Sequence, residues 1–299
     1  MRAGHAAVGG AVGDLLRQVH RLELVARKNA AGLRPGDYLT AVRGGGLMFH
    51  ETRKYVVGES ARRIDWNITA RLGEPHVQVH LEERQREVIV ALDVSPSMHL
   101  GTGYKTKLEH AAELAATLAV TAVESGDRLG WVIFADQVLD EGHPRGGRPQ
   151  LFRALRSMLA HTEPWSRPVL ESDPRMAIHA IERRRGRFVV FLISDFIDHD
   201  LPEDLKYARA RHDVSLLHVY DPLEYAASTE LVFPGYSPEG RGSRGPLSTP
   251  ELGSLGEIQA FLRDRCGELR MAFASFPTDL PVRSGLDRFF HRKRRALRD

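Results

Sequence analysis

Residues 88–97 read Val88-Ile89-Val90-Ala91-Leu92-Asp93-Val94-Ser95-Pro96-Ser97, an apolar run that ends on an acid and two serines. Five consecutive apolar residues leave no polar face, so the run predicts a strand covered on both sides, as in a parallel sheet. A parallel sheet needs crossover helices. Downstream, Lys107–Glu124 reads as a long helix, opened by Thr106-Lys107-Leu108-Glu109 as a capping box. Arg128–Ala135 (RLGWVIFA) is a second strand, and Gln137–Leu139 a short edge strand. Helices are expected over Gln150–Ala160, Pro174–Arg185 and Leu201–His212. Buried strands are expected over Phe188–Ser194 and Val214–Tyr220. Strands alternating with helices define an α/β fold with a mostly parallel sheet and right-handed crossovers.

Both flanks of this section read differently. Upstream, Val12, Leu15, Leu16, Val19, Leu22 and Val25 recur at helical spacing over residues 11–28. Gly32 and Pro35 then stop the helix. Leu47–Val57 reads as extended, and Val77, Val79 and Leu81 alternate with polar residues as in a half-buried strand. Downstream of Asp221-Pro222, residues 234–256 are a Gly-, Ser- and Pro-rich linker. A helix over Ile258–Glu268 and a last strand over Met271–Phe276 follow, then a basic tail, His291-Arg292-Lys293-Arg294-Arg295. The expected division is an N-terminal extension (1–85), the α/β domain (86–221) and a C-terminal extension (222–299).

Composition narrows the function. With 42% apolar and 27% charged residues the chain is ordinary for a globular protein. No apolar run approaches the roughly 20 residues of a membrane-spanning helix, and residues 1–13 lack the pattern of a signal peptide. A single cysteine, Cys266, excludes intrachain disulfides and thiolate zinc clusters, which suits a cytoplasmic location. The 42 basic residues are interspersed with 39 acidic ones, net +3. Only the tail is a one-sign block, which argues against nucleic-acid binding.

The chemistry gathers where strands end. Ligands of open α/β sheets bind beyond the carboxyl ends of the strands. There Asp93, Ser95 and Ser97 offer one carboxylate and two hydroxyls, hard oxygen donors that suit Mg²⁺, Mn²⁺ or Ca²⁺ rather than zinc. Turn capping by the same residues is the plainer alternative. Asp195 follows another buried strand and emerges beside Asp93 if the two strands are neighbours. Ser172 precedes the helix beginning at Pro174, where Asp173 also fits an N-cap before an N1 proline. Ligand and cap both remain open for that pair.

An Asp-x-Ser-x-Ser loop, a hydroxyl before a later helix and an Asp after a later strand resemble the metal-ion-dependent adhesion site of von Willebrand factor A domains. More specifically, the chain resembles the bacterial family called domain of unknown function 58, whose genes commonly accompany MoxR-type AAA+ ATPases. The resemblance runs from about residue 20 to the end. It is carried by Gly46-Leu47-Met48-Phe49 with Arg53 and Tyr55, by Gly58-Glu59, by Arg63-Ile64-Asp65-Trp66 and by Ala70-Arg71. Met48, Glu59 and Ser172 stand where the pattern usually has Glu, Asp and Thr. The resemblance implies a von Willebrand factor A-like, Rossmann-like sheet flanked by helices, with N- and C-terminal additions. It implies that Ser95 and Ser97 contact a metal directly, and that Asp93, Ser172 and Asp195 bind it directly or through water. It further implies a non-enzymatic, cytoplasmic adaptor that works with a MoxR-type ATPase on a client protein, which is free to be membrane-associated.

Trp165 and Phe196 flank the same sheet end and are expected to touch the partner. Arg62, Arg63, Asp65, Trp66 and Arg71 are expected to form a buried ion-pair and aromatic cluster fixing the added segment to the sheet, in preference to a binding surface, and Arg53 and Tyr55 belong to the same structural motif. The rival function is a metal-dependent phosphohydrolase using Asp93 as phosphoryl acceptor. Such enzymes usually place a second carboxylate two residues later, where this chain has Ser95.

Overall fold

The computed structural model describes residues 3–31, 33, 51–56, 64, 66–79, 85–101, 105–162, 172–197, 201–225 and 255–296. These fall into two compact units, residues 1–43 with 86–299, and residues 44–85. This differs from the expected division. The N-terminal helix α1 (Ala3–Ala30) belongs to the larger unit, and so does the C-terminal region.

The larger unit is built on a six-stranded sheet: β3 (Glu87–Asp93), β4 (Arg128–Phe134), β5 (Val138–Arg145), β6 (Phe188–Ser194), β7 (Asp213–Tyr220) and β8 (Ala272–Pro277). Its spatial order is β5-β4-β3-β6-β7-β8, with only β5 antiparallel to its neighbour. The apolar strand alternates its side chains between two cores. Val88, Val90 and Leu92 meet α1, α3 (Lys107–Glu124), α4 (Arg148–Ala160) and α8 (Val282–Arg295). Ile89 and Ala91 meet α5 (Pro174–Glu182), α6 (Leu205–Arg211) and α7 (Leu255–Glu268). The run is therefore apolar because both faces of β3 are covered, as parallel strands require.

Helix α3 starts where the capping box predicts. The Glu109 N–H donates to Thr106 Oγ1 at 3.1 Å, and the Thr106 N–H to Glu109 Oε2 at 2.9 Å. Its buried alanines, among them Ala111, Ala115, Ala119 and Ala122, leave room for α1 to pack against it. Arg27 and Asn29 of α1 bind Glu124 and Glu113 of α3.

Two elements depart from the sequence reading. The edge strand β5 runs eight residues instead of three, carrying Gly142 and Pro144, which an edge strand tolerates. The basic tail is part of an amphipathic helix, α8, with Val282, Leu286, Phe289 and Phe290 in the core. Lys293 is buried there too, donating to Ser215 Oγ at 3.0 Å and pairing with Asp213 at 3.1 Å.

The smaller unit holds β1 (Glu51–Lys54) antiparallel to β2 (His76–Val79), with α2 (Trp66–Leu72) between them in sequence. The Tyr55 N–H donates to the Pro75 carbonyl at 2.8 Å, and Tyr55 is half-buried. The expected buried cluster does not hold for the helix. No residue of α2 is buried, Arg71 is exposed, and Trp66 is 68% exposed. A single short helix offers no face deep enough to bury an indole. Arg62, Arg63 and Asp65 lie outside the described residues, as does the side chain of Arg53.

Candidate functional site

Neighbouring parallel strands carry the candidate donors to one sheet end. Strands β3 and β6 pair in register up to Leu92↔Ile193, so Asp93 and Ser194 come next to each other and Asp195 follows. The Val94 N–H bonds the Phe134 carbonyl at 2.9 Å, prolonging the β3–β4 ladder by one residue. The chain then turns into a short 3₁₀ helix, Pro96–His99. The Asp173 N–H donates to the Ala135 carbonyl at 3.0 Å, anchoring the start of α5 to the end of β4.

Asp173 takes the capping role the sequence allowed, and Ser172 turns its hydroxyl to Asp93. Asp173 caps α5, accepting from the Arg175 N–H at 3.0 Å. Ser172 Oγ donates to Asp93 Oδ2 at 2.6 Å. Ser194 Oγ donates to the same oxygen at 2.6 Å, and the Ser95 N–H to Asp93 Oδ1 at 2.8 Å. Ser95 Oγ and Ser97 Oγ are 3.1 Å apart. Asp93, Ser95, Ser97, Ser172 and Asp195 thus gather as the spacing suggested, all buried except the half-buried Ser172.

Two partners were not foreseen. Lys107, the first residue of α3, is fully buried, and its Nζ donates to Asp195 Oδ2 and Glu224 Oε2, each at 2.9 Å. Glu224 lies just past the carboxyl end of β7, so the strand-end rule that singled out Asp93 and Asp195 would also have found it. Lys107 carried no such mark, since a lysine in a first helical turn is ordinarily solvated.

The electrostatics show what the cluster lacks. Burial, then the charge of Asp195, pushes the Asp93 carboxyl up to about 6, against the hydrogen bonds from Ser172 and Ser194. Burial alone would lower the Lys107 ammonium, but Asp195 and Glu224 outweigh it and hold the pKa above its ordinary value. Burial likewise raises Glu224. Among the described residues, Asp195 Oδ1 and Glu224 Oε1 are buried without a hydrogen-bond partner. Three carboxylates against one ammonium leave a formal charge of −2 under almost complete burial, and isolated buried charge is costly.

A dication fits that deficit in sign, and the hydroxyl and carboxylate oxygens are its preferred donors. Among the described residues no group of three or more His, Cys, Asp or Glu is arranged as a metal site. The fit therefore rests on the serine hydroxyls beside Asp93 and Asp195.

Phe196 corrects an expectation. It is 6% exposed and packed in the core with Leu201 and Leu205, so it offers no docking surface. Its backbone is left-handed (φ 46°), and its N–H donates to Ser194 Oγ at 3.1 Å. The residue makes the turn that leaves Asp195 at the site while its ring closes the core. Trp165 lies outside the described residues.

Fold and cluster together define an α/β domain with an oxygen-rich, negatively charged site at the carboxyl end of its parallel strands. Residues 51–229 match the family described as Protein of unknown function DUF58, and the chain belongs to that family. Relatives include "Uncharacterized protein Rv1480" of Mycobacterium tuberculosis and "Uncharacterized protein Mb1516" of Mycobacterium bovis. Each is 32% identical over 212 residues, which is 70% of this chain and 66% of the relative, just under two thirds of its length. Among solved structures, BatB from Bacteroides thetaiotaomicron is similar at 17% identity and a TM-score of 0.47, covering 70% of this chain and 99% of that one. An aerotolerance-related membrane protein from Bacteroides fragilis matches at 18% identity and 0.45, covering 69% and 99%. No helix among the described residues is long and apolar enough to cross a membrane.

Proposed function

We propose that the chain is a von Willebrand factor A-like docking module, non-enzymatic and dependent on a divalent cation, that works in the cytoplasm with a MoxR-type AAA+ ATPase on a client protein. One observation carries this reading. Five oxygen-bearing side chains converge at the sheet end with a buried charge of −2 and an Asp195 oxygen that has no partner among the described residues. Ser95 and Ser97 present the hydroxyls. Asp93 is held in place from both oxygens, Ser172 stands at the exposed side, and Lys107 fixes Asp195. Mg²⁺, or Mn²⁺ or Ca²⁺, supplies there the positive charge that an acidic side chain of the partner recognises.

The phosphohydrolase reading is less well supported. A nucleophilic carboxylate must be ionised and free to reach its substrate. Asp93 has both oxygens engaged and is fully buried.

The test is an interferometry titration against the cognate MoxR-type ATPase, in Mg²⁺ and then in EDTA. Ser97→Ala is expected to weaken association about tenfold or more, the scale of a charge-assisted contact of roughly 1.5–3 kcal/mol. Undiminished binding in EDTA, with a folded Ser97→Ala chain binding like wild type, would overturn the proposal.

A further inference from the structure

At the opposite end of the sheet lies a cavity of about 450 Å³. Its floor is the start of three parallel strands, at Glu87 of β3, Arg128 of β4 and Phe188 of β6. Glu87 and Asp93 are six residue steps apart along β3, so the two sites are about 20 Å apart at the usual strand rise. The walls are the β5 edge at Glu141, His143 and Pro144 and the end of α5 at Ala180 and Arg183–Arg185.

The lining charges decide what the cavity takes. Its two acids are already paired: Glu87 with Arg128 at 2.7 Å and Glu141 with Arg184 at 3.0 Å. Arg183 and Arg185 are exposed and have no acidic partner among the described residues, leaving a formal surplus of +2. Arg184 is 6% exposed and rigidly held, because Nη1 also donates to the Gly142 carbonyl at 3.1 Å. Its Nε is buried with no acceptor among the described residues. Arginines at a helix C-terminus complement the helix dipole, which accounts for the placement of Arg183 and Arg185 there. It explains neither the cavity beside them nor a buried guanidinium with an unused donor. Gly186, at φ +123°, makes the tight return from α5 to β6 just after the three arginines.

We infer that this cavity binds a small phosphomonoester carrying a flat organic body, of nucleoside monophosphate size. A phosphomonoester brings close to two negative charges at neutral pH, matching the surplus, and guanidinium forks suit its oxygens. The volume lies within the range of small-ligand sites, about 300–1,000 Å³. His143, exposed on the β5 edge, gives the flat face against which a ring packs, over a floor closed by the buried Phe188, Pro144 and Ala180. The site is independent of the dication reading.

The experiment is a calorimetric titration of the full chain with AMP, inorganic phosphate and adenosine, all in EDTA so that no metal bridges the phosphate. AMP is expected to bind at least about tenfold tighter than either fragment. Arg183→Ala with Arg185→Ala, both on the surface, is expected to abolish that preference without changing thermal unfolding, whereas Ser97→Ala binds AMP as wild type does. Absence of AMP binding up to about 10 mM, or equal affinity in the double variant, would overturn the inference. So would capture of a polyglutamate peptide without AMP binding, since the surplus charge would then serve an acidic protein segment.

Discussion

Replacing Lys107 with Met tests the charge balance of the site. The methionine nearly matches the lysine in length, so packing is kept while the ammonium is lost. In the wild type Lys107 is the only cation bonded to Asp195 and Glu224 among the described residues, and both acids are buried. Its loss takes the local formal charge from −2 to −3. Breaking a buried pair by removing one partner costs about 3–5 kcal/mol, because the other charge stays behind. At roughly 2–4 °C per kcal/mol for a unit of this size, the melting temperature in EDTA should fall by about 6–20 °C. The assay is thermal unfolding followed by near-ultraviolet circular dichroism, paired with urea titration. Excess Mg²⁺ should restore more stability to Lys107→Met than to wild type, since the deeper deficit is filled by the same ion. A loss under about 1 kcal/mol in EDTA would refute the reasoning, showing the buried acids to be neutral or solvated without Lys107.

Two further expectations follow from other parts of the unit. His110 is buried, its ring nitrogens have no hydrogen-bond partner among the described residues, and burial pushes its pKa down to about 4. The unfolded chain takes up that proton near pH 6.5 and the folded one only near 4. Stability is thus complete above pH 6.5 and falls by about 3 kcal/mol toward pH 4. Urea unfolding of His110→Leu should lack this component, and an unchanged pH profile would contradict it. Phe289→Ala should cost about 3–5 kcal/mol as a buried aromatic truncation. A loss near zero by chemical denaturation would mean that α8 is a free basic tail after all.

The strands and helices of the sheet were legible because their residues answer to local rules. Val88–Leu92 is apolar because both faces are covered, and Thr106 with Glu109 marks the first turn of α3. Asp93, Ser95, Ser97 and Asp195 were legible because strand ends are where such sheets place ligands. What escaped depended on distant chain. Lys107 meets partners 88 and 117 residues away, and no local pattern tells a buried lysine from a solvated one. Helix α8 was hidden by its own charge. Val282, Leu286, Phe289 and Phe290 keep helical spacing, but the basic residues between them read as a tail until β7 supplies Asp213 and Ser215 for Lys293. Phe196 sat beside the site in sequence and turned inward, because a left-handed residue after β6 sends its ring to the core. Strand β5 was cut short by Gly142 and Pro144, which break a strand pattern locally but are accepted at an edge.

The central claim is that Asp93, Ser95, Ser97 and Asp195 hold one dication. Calorimetric titration of Mg²⁺ and Mn²⁺ into the metal-stripped chain, with Asp93→Ala and Ser97→Ala alongside, tests it most directly. The account predicts one ion per wild-type chain and loss of that binding in both variants, each confirmed folded by circular dichroism. Equal binding by wild type and Asp93→Ala would contradict it.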